Sequence, residues 1–406
     1  MKGGQPLLYF FGAFIILLFL IFIDYYFGRI HHLKHVKKHS FPVRHSDITI
    51  FTSGPLLFEK MLADISEAQH HIHMLFYIFR NDEFGMKVLR LLEEKAKEGV
   101  RVRVLIDIVG SHRFPRRLMK EMSLKGVEIE YCHTPSFPFF FFHLQNRNHR
   151  KITVIDGKIG YLGGFNIGNE YIDLHQRLSP WRDCHVRFTG EGVWDLQLQF
   201  LTDWTEATWR GPEENERELY YPALARGSVE HQFFAFEGDC WEDKVVEMIS
   251  SAKRKIIIGS PYFIPSKRAF AAILDAVKRG VEVVLIVPEM SDHPLIQEAS
   301  YRFLRRLIRL NCCSVYRYRD GFYHAKVFVI DGDICSVGTA NFDNRSFYFN
   351  HELNSMFRDP DMVIEMLEIA EMDLSKSTKL TADMLRHRNF VGVLKEWFAI
   401  LLSPLL

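Results

Sequence analysis

The chain lacks three things: an excess of charge of one sign, a cysteine pattern, and any charged residue between Gly3 and Ile23. The 51 basic residues face 50 acidic ones, a net charge of +1. No surplus of positive charge is therefore available for general binding of polyanions, which argues against a nucleic-acid partner. The six cysteines (Cys132, Cys184, Cys240, Cys312, Cys313 and Cys335) show no CxxC spacing and no framework density. They read as free thiols in a reducing compartment rather than as disulfide staples or a zinc site. The missing early charge points to a membrane. From Leu7 to Ile23 every residue except Gly12 is apolar or aromatic. At about 1.5 Å per residue this run nearly crosses a hydrocarbon core of about 30 Å.

Tyr25, Tyr26 and Phe27 suit the aromatic belt at the interface, and Ile23-Asp24-Tyr25-Tyr26 offers no small-residue cleavage site. The expectation is one uncleaved anchor over residues 1–28. Arg29, Lys34, Lys37, Lys38 and Arg44 follow it, whereas only Lys2 precedes it. The positive-inside rule places the body in the cytoplasm, as a single-pass protein of the cell membrane. Residues 29–46 read as a basic juxtamembrane linker whose cations and histidines either only set the topology or also rest on anionic headgroups.

What the chain does have is an internal repeat. HRKITVID, His149 to Asp156, returns as HAKVFVID, His324 to Asp331. Each copy is followed by a glycine, an apolar run and a closing Asn, Asn166 in GGFN and Asn341 in GTAN. Similarity extends upstream. Residues 65–79 resemble 249–264, and residues 91–107 resemble 273–288, each reading as helix, glycine near Gly99 or Gly280, then β-branched strand. This alternation is an α/β pattern. With 406 residues and 48% hydrophobic content the chain can bury two ordinary cores, with the seam in the polar stretch 211–228.

Residues two apart on a strand face the same way, so His149 points with Lys151 and His324 with Lys326. Asp156-Gly157 and Asp331-Gly332 stand between β-branched runs, a hairpin-turn signal, so each Asp is expected to hold a turn more than to handle protons. Two imidazoles and two ammonium groups suit a phosphodiester. The lysines neutralise charge on phosphorus, with Asn166 and Asn341 as further donors. One imidazole attacks while the other protonates the departing alkoxide. Cationic side chains supply the electrostatics, so neither metal nor other cofactor is called for. Each imidazole needs an acceptor on its second nitrogen. Asp183 and Glu352, at comparable distances downstream, are expected to orient His149 and His324 respectively.

These residues match the HxK(x)4D signature, with a later Gly and Asn, of the phospholipase D superfamily. More narrowly, FFFFHLQNRNHRKITVIDGKIGYLGGFNIGNEY, WRDCHVRFTGEGV, SPYFIP, YHAKVFVIDG and SVGTANFDNRSF resemble bacterial cardiolipin synthases. The resemblance implies an α/β fold of two phospholipase D-like sandwich domains, 47–215 and 216–406, related by a pseudo-twofold and sharing one site. It implies His149, Lys151, Asp156, His324, Lys326 and Asp331 as catalytic residues. It also implies transfer of a phosphatidyl group between two phosphatidylglycerol molecules, giving cardiolipin and glycerol through a phosphohistidine on His149, with His324 as acid and then base. Alternatives are a membrane-bound phospholipase D, a phosphatidylserine synthase and a membrane-tethered nuclease. Many such relatives begin with two membrane segments; here one is evident.

Two further apolar stretches stand out. Phe137, Pro138 and Phe139 to Phe142 read either as a lip dipping into the interface or as a buried loop. The closing VGVLKEWFAILLSPLL reads as a docked helix, too short to span a bilayer.

Overall fold

A computed structural model describes residues 5–36, 40–212, 216–386 and 390–405, with the side chains of residues 5–8 and 40 undescribed. Lys2, Lys37, Lys38, His39 and part of the expected seam (213–215) lie outside these residues.

The repeat becomes one continuous sheet with sixteen strands among the described residues. Two strands occupy its middle, Ser40–Ser53 and Val229–Glu237, paired antiparallel. Outward on one side follow Trp181–Gly190, Ile159–Gly163, Ile152–Ile155, His71–Phe76, Arg101–Asp107 and Val127–Cys132. Outward on the other follow His351–Phe357, Ile334–Gly338, Val327–Ile330, Lys255–Gly259, Glu282–Pro288 and Cys313–Tyr318, with Ser377–Lys379 at the edge. The two series match strand for strand, so the sequence repeat is a repeat of topology about the central pair. Helices Gly192–Thr208 and Pro360–Ser375 follow the equivalent strands Trp181–Gly190 and His351–Phe357 and pack their apolar sides on the sheet.

Local chemistry explains the elements. Helices Glu83–Lys97 and Lys267–Lys278 begin at Asp82 and Ser266, whose side chains accept from the backbone N–H groups of Gly85 and Ala269. They stop where Gly99 and Gly280 take positive φ, +91° and +88°. Five strands of the sheet, such as His71–Phe76 and Val327–Ile330, are buried along their whole length because helices cover both sides.

The anchor differs from expectation in its length. The helix runs from Gln5 to His35, so Arg29 to His35 continue it, and residues 40–46 already belong to the central strand. Its base is docked on the body. Asp24 accepts from the Phe142 backbone N–H at 2.9 Å, Tyr25 packs on Phe349, and Arg29 donates to the Tyr348 carbonyl at 2.6 Å. Arg29 is thus engaged by protein. The aromatic stretch splits: Phe137 is exposed, whereas Phe142 is buried in a short helix (Phe140–Gln145) against the membrane helix. Gly28 permits this contact, since a Cβ there would meet Phe142 Cβ at 2.5 Å.

Candidate active site

The two motif strands end at the middle of the molecule, and each is pinned there by the other half. His149 donates its backbone N–H to the His351 carbonyl (2.9 Å), and His324 donates to the Arg182 carbonyl (2.7 Å). The partner strands therefore bring Glu352 and Asp183 beside the imidazoles.

The carboxylates are exchanged between the halves, which corrects the expected pairing. His149 Nδ1 lies 2.9 and 3.0 Å from the two oxygens of Glu352, and His324 Nδ1 lies 2.5 Å from Asp183 Oδ2. Proximity along the chain suggested Asp183 for His149; pairing decides otherwise, because the residues just before each motif strand, Asn148 in one half and Phe322-Tyr323 in the other, pair with the opposite half's carboxylate strand. With Nδ1–H donated to a carboxylate, Nε2 of each ring is left as the reactive nitrogen. Glu352 is itself held by Thr339 Oγ1 (2.6 Å), Ser346 Oγ (2.8 Å) and Asn350 Nδ2 (3.2 Å). Asp183 accepts from the Cys184 backbone N–H at 2.8 Å, in space kept open by Gly164, where a Cβ would collide with the carboxylate.

The lysines sit beside their histidines. Lys151 Nζ donates to the His149 carbonyl (2.6 Å), and Lys326 Nζ lies 2.7 and 3.2 Å from the ring nitrogens of His324 and 3.7 Å from Asp183. All four side chains are buried, yet His149 and His324 retain 8% and 6% exposure, a small opening onto the cluster. Burial lowers both imidazoles to about 4, with Lys151 adding to the effect at His149 and Lys326 at His324, while Glu352 and Asp183 pull the other way. Burial likewise brings Lys151 down to about 7 against the pull of Glu352, and lowers Lys326. Lys151 feels both Asp183 and Lys326, so the two sets share one electrostatic field.

Asp156 and Asp331, grouped with the catalytic residues by resemblance, hold turns as their Asp-Gly pairs led one to expect. Asp156 accepts from the backbone N–H groups of Gln69, His70 and His71, and Asp331 from those of Lys253, Arg254 and Lys255. Each sits at positive φ, followed by a positive-φ glycine, in a tight turn closed by Lys158 N–H to Ile155 or Asp333 N–H to Ile330. Their oxygens are occupied by backbone. Asn166 accepts from the Ile78 N–H (3.0 Å) and donates to Tyr171 Oη (3.3 Å). Asn341 is buried, and its Oδ1 has no hydrogen-bond partner among the described residues.

Sequence reasoning missed the ring of aromatics. Tyr77 meets His149 edge-on at 4.9 Å, and Trp181 and Tyr262 lie 5.0 and 6.2 Å from His324. The signal was present, because Tyr77 and Tyr262 occupy equivalent places in the upstream repeat.

The match with known proteins covers both halves. The family described as "Cardiolipin synthase, PLD-like domain" matches residues 61–177 and 245–374. The minor cardiolipin synthase ClsB of Bacillus subtilis (strain 168) is 40% identical over 389 residues, spanning 96% of each chain. The chain belongs to the cardiolipin synthase family. Cardiolipin synthase 2 of Staphylococcus epidermidis is 39% identical over 366 residues, covering 89% of this chain and 75% of that one. The same fold occurs in the phosphatidylserine synthase of Haemophilus influenzae, with a TM-score of 0.72 at 15% identity over 90% of this chain and 97% of that one. Members of this family are membrane enzymes of phospholipid metabolism, and the apolar helix Tyr9–His35 is long enough to anchor this one.

Proposed function

We propose that this protein is a phosphatidyltransferase that joins two phosphatidylglycerol molecules into cardiolipin and releases glycerol. One observation carries the reading: two histidines from opposite halves, each with Nδ1 held by the other half's carboxylate and each beside a buried lysine. Nε2 of His149 attacks phosphorus of the first lipid. The bond to glycerol breaks, and the alkoxide takes a proton from His324. The resulting phosphohistidine is then attacked by the terminal hydroxyl of a second phosphatidylglycerol, whose proton returns to His324. The P–N bond breaks and His149 is restored. Lys151 and Lys326 face the non-bridging oxygens, with Asn341 as a further donor and Asn166 as another once its amide leaves Tyr171. At neutral pH both imidazoles rest unprotonated, so the anionic phosphodiester supports the charge His324 must carry as an acid.

The two halves, 47–215 and 216–406, act as one catalytic unit, with the body on the cytoplasmic side, a placement supported by Arg29, Lys34 and Arg44 after the anchor. The deciding assay uses purified protein in detergent and labelled phosphatidylglycerol. The expected products are cardiolipin and free glycerol, lost almost completely in His149→Ala and His324→Ala. Phosphatidic acid as sole product, or phosphatidylserine formed when serine is added, would assign the enzyme to another acceptor. Substantial turnover in either histidine variant would remove the shared-site mechanism.

A further inference from the structure

A groove of about 680 Å³ lies at the base of the membrane helix, and no residue of either motif lines it. Tyr25 and Arg29 of the membrane helix form one wall; Ser403 and Pro404, after the C-terminal helix, form another. Its charge is one-sided. Arg29, Lys267, Arg268, Arg302 and Arg306 line it, with Glu242 as the single carboxylate. Glu242 is taken, since it pairs with Arg268 at 2.9 Å and accepts from Tyr348 Oη at 2.7 Å. Among the described residues, no carboxylate lies within ion-pair distance of Arg29, Lys267, Arg302 or Arg306.

Four like charges converging without a counter-charge repel one another, and a groove with low-dielectric walls strengthens that repulsion. The guanidinium groups are held in place: Arg302 lies 4.4 Å over the Phe303 ring, and Arg306 lies 5.6 Å over that of Phe270. Arg302 also donates to Ser403 Oγ at 3.0 Å. Tyr25, Phe270, Phe303 and Pro404 supply apolar lining, beside the neutral polar Ser266, Asn344 and Ser403.

Charge and position together define the occupant. The groove opens beside the helix that crosses the bilayer. The neighbouring C-terminal helix (Phe390–Leu402) buries Ala399 and pairs Glu396 with Arg305 on its inner side. It leaves Phe390, Leu394, Trp397 and Leu401 exposed on the outer side, the disposition of a helix lying in an interface. We infer that this groove binds an anionic phospholipid of the leaflet, outside the catalytic cluster, with its phosphate among Lys267, Arg302 and Arg306 and its acyl chains over Phe270 and Phe303. The volume suits a headgroup and the first part of the chains. The inference rests on the membrane placement proposed above, but not on turnover.

The test uses the full chain carrying His149→Ala, so that no lipid is consumed, in phosphatidylcholine nanodiscs doped with a photoreactive phosphatidylglycerol. Crosslinks are expected on segments 265–270 and 302–306. Unlabelled phosphatidylglycerol should compete, and phosphatidylcholine and inorganic phosphate should not. Lys267→Gln with Arg306→Gln, both at exposed positions, should lower these crosslinks about tenfold or more, since each basic residue near an anionic surface contributes roughly a factor of five. Arg302→Gln provides a second variant. Crosslinking unchanged in both variants, or displaced equally by phosphatidylcholine or by free phosphate, overturns the inference. Turnover of the unaltered protein, measured in parallel, tests the proposed reaction separately.

Discussion

At the scale of single residues, the exchanged carboxylates define what each imidazole does. Glu352 raises the proton affinity of His149 and Asp183 raises that of His324, each against burial. Glu352→Gln keeps the shape but removes the charge and replaces one of the two acceptor oxygens facing His149 Nδ1 with an N–H donor, so the tautomer is no longer fixed by the carboxylate. Loss of such an orienting carboxylate costs a catalytic histidine up to about 10⁴-fold in kcat. The expected result is a large fall in kcat with little change in KM. Nitrogen NMR of labelled histidine should show His149 shifted by Glu352→Gln and His324 by Asp183→Asn. The reverse assignment would disprove the exchange. His-x-Lys and its alternation were legible because a strand has period two. The identity of each carboxylate partner was not, because neither partner is local: Glu352 is 203 residues from His149, and Asp183 is 141 from His324.

At the scale of elements, the Asp-Gly turns show how a motif residue can serve structure. Asp156 is 8% exposed and satisfies three backbone N–H groups at the start of the His71–Phe76 strand. Removing it leaves those donors unpaired and places a less tolerant residue at φ +53°. Asp156→Ala should cost about 2–4 kcal/mol of stability in denaturant titration. The folded fraction should keep its specific activity within a few-fold. A collapse of kcat with unchanged stability would instead return Asp156 to the chemistry. The turn was readable from two residues between β-branched runs. The anchor's continuation to His35 was less so, because Arg29 and His32 look like soluble linker until Tyr348 and Glu237 accept their hydrogen bonds.

At the scale of the whole molecule, buried histidines set the acid limit. Burial lowers His71, His149 and His324 to about 4, and His133, His185 and His231 to about 3. In the unfolded chain these groups take up protons below about 6.5, whereas the folded protein resists until 3–4. The stability is therefore complete above about 6.5 and is lost as pH falls toward 4, each fully buried histidine adding a slope of up to about 1.4 kcal/mol per pH unit. Thermal unfolding should show a clearly lower Tm at pH 5 than at pH 7. An unchanged Tm would mean that these rings are protonated in the fold.

The sequence by itself determined the repeat, the strand and helix periods, the turns, the membrane run and the pairing of each histidine with its lysine. All of these are matters of local spacing or local chemistry. Only the tertiary structure decided which carboxylate holds which histidine, that the two halves form one sheet through Ser40–Ser53 and Val229–Glu237, and that the membrane helix is seated on the body. Those outcomes depend on which strands become neighbours, and that is set by packing across the central pair rather than by distance along the chain.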